Sequence, residues 1–190
     1  MTKVLFATGN ARKIEEATAT LTPYGIRVEP HTITIDEIQH HDPAEITKAK
    51  ARAAYDVLAQ PVVVSDTCWE IPALGGFPGG YMKDVSRWLT AEDWLTLMAR
   101  HEDKTIYCHE HIAYCDGSDV KHFVASFAGT FIEEARGRQD DSESFERVVI
   151  LYGDTTMAQQ LERGEVASAG ESLDHWKQFA EWYSNQSTKE

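Results

Sequence analysis

"KVLFATGNARKIEEATATL", Lys3–Leu21, is the stretch on which the reading of the whole chain turns. KVLFAT, with the apolar run Val4–Ala7, is of the kind that forms a strand buried on both faces, and ARKIEEATATL sets Ile14, Ala17 and Leu21 at helical spacing. Thr8, Gly9 and Asn10 stand where the strand gives way to the helix, so one passes into the other through one tight turn, and Gly25 stops the helix. The start of a helix exposes backbone N–H groups and the positive end of its dipole, which favours anions, and Lys13 adds a cation in the first turn. The spacing is neither a P-loop nor GxGxxG, and Thr-Gly-Asn is equally a good turn and helix cap. Taken alone, the stretch supports both readings.

Outward from it the alternation continues. IRVEPHTITI reads as extended; Asp42, Pro43 and Glu45 then take the N-cap, first-turn and third positions of a helix carrying Ile46, Ala49, Ala53 and Val57, which leads into the strand PVVVSD. SRWLTAEDWLTLM is helical in pattern, as two short helices meeting near Thr90, with Thr90 and Asp93 spaced as a capping box. KTIYCHEHIAYCDG and VKHFVASFAGTF alternate like two strands joined at Asp116-Gly117, an antiparallel hairpin. EEARGRQDDSES is expected as a loop, ERVVILYG as a strand, SLDHWKQFAEWY as a closing helix with Leu173, Trp176, Ala180 and Tyr183 on one side, and the last residues as a frayed tail. The expected class is α/β, with a mixed central β-sheet flanked by helices. Neither a repeat nor a low-complexity linker divides residues 1–190, so a single domain is expected, with room for two lobes around one cleft.

Composition narrows the function classes. With 42% hydrophobic residues the chain can bury a core, and no apolar run approaches the roughly 20 residues that cross a bilayer, so no membrane partner is expected. The N-terminus is too short in its apolar patch for a secretory signal, and Cys68, Cys108 and Cys115 neither pair off evenly nor form a CxxC; a reduced, cytoplasmic protein is expected. A formal net charge of -13 disfavours a nucleic-acid polymer as partner, because that binding neutralises phosphates with Lys and Arg. A small phosphorylated ligand stays open, since a few local cations outweigh a repulsive global field.

Asp36 and Glu37 close one extended run and Asp66 another, followed by Thr67, so two strand ends are placed to aim carboxylates into the crevice where open α/β sheets bind ligands. Carboxylates beside phosphates suit Mg²⁺, although paired acids are more often solvated surface. In ALGGFPGGY, Gly75, Gly76, Gly79 and Gly80 cost backbone entropy, which argues for close approach of backbone to something else. His109, His111 and Cys115 share a strand face; lacking an evident further ligand, they read as an ordinary face before they read as zinc ligands. The tryptophans at 69, 88, 94, 176 and 182 read as core or subunit contacts.

TGNARK, DEIQ, SDTCWEIPALGGFPGGYMK, EDKTIY and FAGTF, in that order, resemble the inosine triphosphate pyrophosphatase family, the pyrophosphohydrolases of non-canonical purine nucleoside triphosphates. The resemblance spans most of Val4 to Thr130. It implies that Thr8, Gly9, Asn10 and Lys13 hold the triphosphate, that Glu37 and Asp66 hold Mg²⁺, and that Asp66 is the catalytic acid. Lys50, Thr67 and Lys83 would contact phosphate or nucleotide, and a homodimer is implied as well. Water would attack the α-phosphorus, leaving a nucleoside monophosphate and pyrophosphate.

Three departures bear on this expectation. Ser65 stands where the family usually has an acid; SFERVVIL replaces a loop of the type FG(Y/W)DP, keeping Phe145 to stack on a base; and SLDHWKQ keeps only His175 of a Ser-His-Arg run. Arg147 and His175 are the candidates to replace the missing base contacts, and an altered base preference is expected. The alternatives are a nucleotide-binding protein without turnover and, supported only by the acidic C-terminal part, an interaction module.

Overall fold

The computed structural model describes residues 2–139, 144–164 and 174–186. Strand and helix alternate as expected through β1 (Thr2–Ala7), α1 (Ala11–Leu21), β2 (Ile26–His31), α2 (Pro43–Leu58) and β3 (Val62–Glu70). There follow β4 (Pro78–Gly79), α3 (Met82–Trp88), α4 (Ala91–Met98), β5 (Thr105–Cys115), β6 (Val120–Phe131), β7 (Val149–Ile150), α5 (Met157–Glu162) and α6 (Asp174–Gln186). The strands form one mixed sheet in the order β2-β1-β3-β5-β6-β7, with β4 on β3. β1 runs parallel to β2 and to β3, while the tight turn after Cys115 makes β5 and β6 an antiparallel hairpin, since parallel neighbours need a long crossover.

The chain divides into two compact units, one from Met1–Thr67, Glu110–Ala125 and Ala169–Glu190, the other from Cys68–His109 and Ser126–Ser168. In the first unit the sheet is covered on both faces, which is why its strands read as continuous apolar runs. Successive strand residues point to opposite faces. Val4 and Phe6 of β1, Val63 of β3 and Ile112 and Tyr114 of β5 therefore pack with Ala17 and Leu21 of α1 and Trp176, Phe179 and Ala180 of α6. Leu5, Ala7, Val62, Val64, Ala113 and Cys115 pack instead with Ala51 and Ala54 of α2. Phe6 meets Trp176 edge-on at 5.0 Å, and the Tyr183 hydroxyl donates to the Lys3 carbonyl at 3.0 Å, so the last helix is tied to the first strand. The second unit has its own core of Trp69, Ile71, Trp94, Met98, Ile106, Phe131 and Phe145.

Local signals explain the helix boundaries. Asp42 caps α2 by accepting from the Ala44 N–H at 2.9 Å, with Pro43 opening the helix. Thr90 and Asp93 form the expected capping box, which separates α3 from α4.

Several expectations are corrected. β3 does not end at Asp66 but continues to Glu70, because the apolar Cys68 and Trp69 extend its buried pattern. IRVEPHTITI is a strand only as far as His31. ERVVILYG contributes a two-residue strand after a 3₁₀ turn over Ser144–Arg147, and α5, whose Thr156 and Gln159 form a second capping box, was not foreseen. Gly75, Gly76 and Gly79 have φ of 68°, 91° and 56°, so the turn itself demands glycine there; a side chain at Gly75 would meet nothing within 4 Å. Leu173, the tail beyond Gln186 and residues 140–143 of the expected loop lie outside the described residues. Trp69, Trp94 and Trp176 are core side chains, whereas Trp88 is 74% exposed. No helix among the described residues is long and apolar enough to cross a membrane.

Candidate active site

Asp66 shares the parity of Val62 and Val64, so it projects from β3 on the face that α2 covers. Lys50 lies on α2, just before the buried Ala51. Its ammonium sits 2.8 Å from Glu37 Oε1 and 3.9 Å from Asp66 Oδ2, within the first unit. These side chains are 17%, 33% and 32% exposed respectively, so solvent screens the cluster only in part. Two carboxylates and one ammonium leave a net negative charge. The Thr67 backbone N–H donates to Asp66 Oδ1 at 3.2 Å and helps to hold that carboxylate.

The opposite face carries a second acidic group that sequence reading missed. Thr67 points away from Asp66, and its hydroxyl donates to Glu110 Oε2 at 2.9 Å. Glu16 of α1 faces the Glu110 charge; burial first, and that charge second, push Glu16 up to about 6. Glu110 was legible only as one polar member of a strand, and Glu16 only as a helix acid near Ile14 and Ala17. Their relation depends on α1 and β5 meeting, which no local pattern encodes.

At the first turn, Asn10 Oδ1 accepts from the N–H groups of Arg12 and Lys13 at 3.0 and 3.3 Å, and Thr8 Oγ1 accepts from Asn10 N–H at 3.2 Å. Thr8 and Asn10 thus cap α1 with their own side chains, and Gly9 and Asn10 are exposed. Glu37, Lys50, Asp66 and Thr67 are brought together in this unit by the contacts above. His175 belongs to the same unit and is 2% exposed, with its Nδ1 lacking a hydrogen-bond partner among the described residues. Burial, and then the Lys13 charge, push His175 down to about 3, so it is neutral.

Lys83 and Phe145 belong to the second unit. Lys83 is exposed on α3. Phe145 is 2% exposed with its ring 4.8 Å from that of Trp69, packed as a core side chain. Arg147 Nε donates to the Gly137 carbonyl at 3.0 Å. Ser65 is 6% exposed and lies on the face opposite Asp66, so an acid at this position would not project beside the Asp66 carboxylate.

The fit of this chain to Mg²⁺ rests on the donor set. Among the described residues no group of three or more His, Cys, Asp or Glu is placed to hold a metal. Mg²⁺ takes hard oxygen donors and commonly uses one or two protein carboxylates with water and substrate phosphate. Glu37 and Asp66, converging on one cation, fit that pattern.

Comparison with known proteins identifies the family. The model of the Ham1 family matches residues 4–168. The chain is 33% identical over 184 residues to a dITP/XTP pyrophosphatase of Methanopyrus kandleri, covering 96% of this chain and 97% of the relative. It is 37% identical to an inosine triphosphate pyrophosphatase of Yarrowia lipolytica over 68% of this chain and 69% of the relative. In three dimensions it resembles a Ham1 protein of Coxiella burnetii with a TM-score of 0.73 at 20% identity, each chain covered over 100%. With a family match over most of its length, a relative aligned almost end to end, and the same fold, the chain belongs to the Ham1 family.

Proposed function

We propose that this chain is a Mg²⁺-dependent nucleoside triphosphate pyrophosphohydrolase that removes non-canonical purine nucleotides from the nucleotide pool, with a base preference of its own. The convergence of Glu37 and Asp66 on one cation carries the reading, and the activity in the names of its relatives supports it. In this reading the turn at Thr8, Gly9 and Asn10, with Lys13, receives the triphosphate. Lys50 and Lys83 contribute further positive charge toward phosphate. Water attacks the α-phosphorus, the bond to the bridging oxygen breaks, pyrophosphate leaves, and Asp66 takes the water proton. Glu37 and Asp66 would hold Mg²⁺, which supplies neutralisation of the charge on the phosphate oxygens. The Thr67 N–H keeps Asp66 oriented. We place the protein in the cytoplasm, where its three buried cysteines suit a reducing medium, and as a homodimer, to which the exposed Trp88 is suited.

The altered base preference draws on Phe145, Arg147 and His175: one ring is packed in a core, one guanidinium nitrogen is engaged by a carbonyl, and one imidazole is buried. The same observation favours a second reading, a nucleotide-binding protein without turnover. Incubation with dITP, ITP, XTP and the canonical triphosphates plus Mg²⁺, scoring pyrophosphate and orthophosphate separately, decides between them. Pyrophosphate from at least one deaminated substrate is expected. No pyrophosphate from any, with a nucleotide-dependent rise in Tm, establishes the second reading.

A further inference from the structure

We infer that Lys50 is a placeholder cation: in the nucleotide-free protein its ammonium occupies the carboxylate pair Glu37 and Asp66, keeping a divalent ion out until a triphosphate arrives to take the ammonium over. The inference deepens the proposed function and rests on it for the identity of the nucleotide.

Lys50 touches both candidate metal-holding carboxylates, at 2.8 and 3.9 Å. Its side chain is the least exposed of the three at 17%, with its stem on a helix whose neighbouring Ala51 is fully buried. A lysine of this kind packs its methylenes and has few places to take its charge.

The charges set the order of events. With Lys50 in place the cluster sums to one negative charge; a divalent ion entering beside it would turn that into one positive charge in a partly desolvated site. A polyanionic triphosphate changes the balance, because its oxygens offer the ammonium a new partner and accept the metal as well. Metal and nucleotide then bind with positive coupling, and by linkage each strengthens the other equally. A hard cation meeting two carboxylates without Lys50 faces no such barrier.

The test measures metal binding directly, without turnover. Mn²⁺ is titrated into the full-length protein, free Mn²⁺ is read by its EPR signal, and each titration is repeated with an α,β-imido analogue of dITP. Wild type is expected to bind Mn²⁺ at least tenfold more tightly with the analogue than without it. Lys50→Met is expected to bind Mn²⁺ at least tenfold more tightly than wild type in the absence of nucleotide and to keep only the share of the coupling that direct metal–phosphate coordination supplies. Glu37→Gln should abolish the tightening in the Lys50→Met background, which locates the ion at this pair. Lys50→Arg, which keeps charge and bulk, should behave nearer to wild type and guards against a folding defect in the methionine variant. Mn²⁺ binding to Lys50→Met no tighter than to wild type overturns the inference, as does tightening that Glu37→Gln leaves untouched. Failure of the proposed activity has a different signature: no pyrophosphate from any triphosphate, whatever the Mn²⁺ titrations give.

Discussion

Replacing Glu16 with Gln removes a titrating carboxyl while keeping its shape, and the structure sets the size of the effect. Burial, with the Glu110 charge behind it, raises Glu16 from 4.5 to about 6 in the folded chain. Between those values the folded chain holds more protons than the unfolded one, so stability falls as pH rises: the contribution of Glu16 is complete below 4.5 and is lost as pH passes about 6. A rise from 4.5 to about 6, at about 1.36 kcal/mol for each tenfold change in proton affinity, amounts to ~2 kcal/mol. The side chain is only 17% exposed, so screening takes little from that figure. Glutamine does not titrate. The stability of Glu16→Gln relative to wild type should therefore improve by about 2 kcal/mol between roughly pH 4 and pH 7.5. For an m value of about 2 kcal/mol/M this moves the difference in urea midpoints by ~1 M. Urea unfolding of both proteins at the two pH values, followed by tryptophan fluorescence, measures it, and titrating groups that do not interact with Glu16 cancel in the subtraction. A midpoint difference that is the same at both pH values would refute the buried, charge-repelled environment of Glu16. Glu110→Gln should remove part of the same pH dependence, since Glu110 is the second cause of the shift.

Asp66→Asn is expected to lower pyrophosphate release by a factor of about 10²–10⁴, the usual worth of a positioned proton acceptor, while nucleotide still raises Tm; full retention of rate removes Asp66 from the chemistry. His175 is held neutral and down at about 3 against an ordinary 6.5, so the unfolded chain binds the extra proton and stability should be lost as pH falls from about 6.5 toward 3. His175→Gln should flatten that acid limb in pH-dependent denaturation, and an unchanged limb excludes the histidine as its source. Gly117 has φ of 92° and a side chain there would run into the Tyr55 ring, so Gly117→Ala should cost about 1–3 kcal/mol in urea unfolding. Tyr55→Ala should recover the steric share of that loss and leave the backbone share.

Much of the fold was written locally. Asp42 with Pro43, and Thr90 with Asp93, are short-range signals whose physics is complete within four residues, and both helix starts fall where they predict. Val4–Ala7 are apolar at every position because the sheet is covered on both faces, and that too is visible in the string. What failed depended on partners far along the chain. β3 runs past Asp66 because Cys68 and Trp69 have somewhere to be buried. ERVVILYG is strand-like by composition, yet its first residues, Glu146 and Arg147, belong to the 3₁₀ turn that buries Phe145 in the core. In the site, acid identity at Glu37 and Asp66 was legible by resemblance, but their shared ion pair with Lys50 was not, since a helix lysine carries no mark of what it faces. The Thr67–Glu110–Glu16 grouping joins three elements across the opposite sheet face and left no local trace at all.

The bond from the Tyr183 hydroxyl to the Lys3 carbonyl, and the Phe6 ring against Trp176, have a consequence during synthesis. The first unit cannot close until α6 has been made, whereas every segment of the second unit precedes α6 in the chain. A growing chain therefore carries Val4, Phe6 and Leu21 without the Trp176 and Phe179 side of their core until α6 is made, and the body bearing Asp66 closes after the segments of the other have been synthesised.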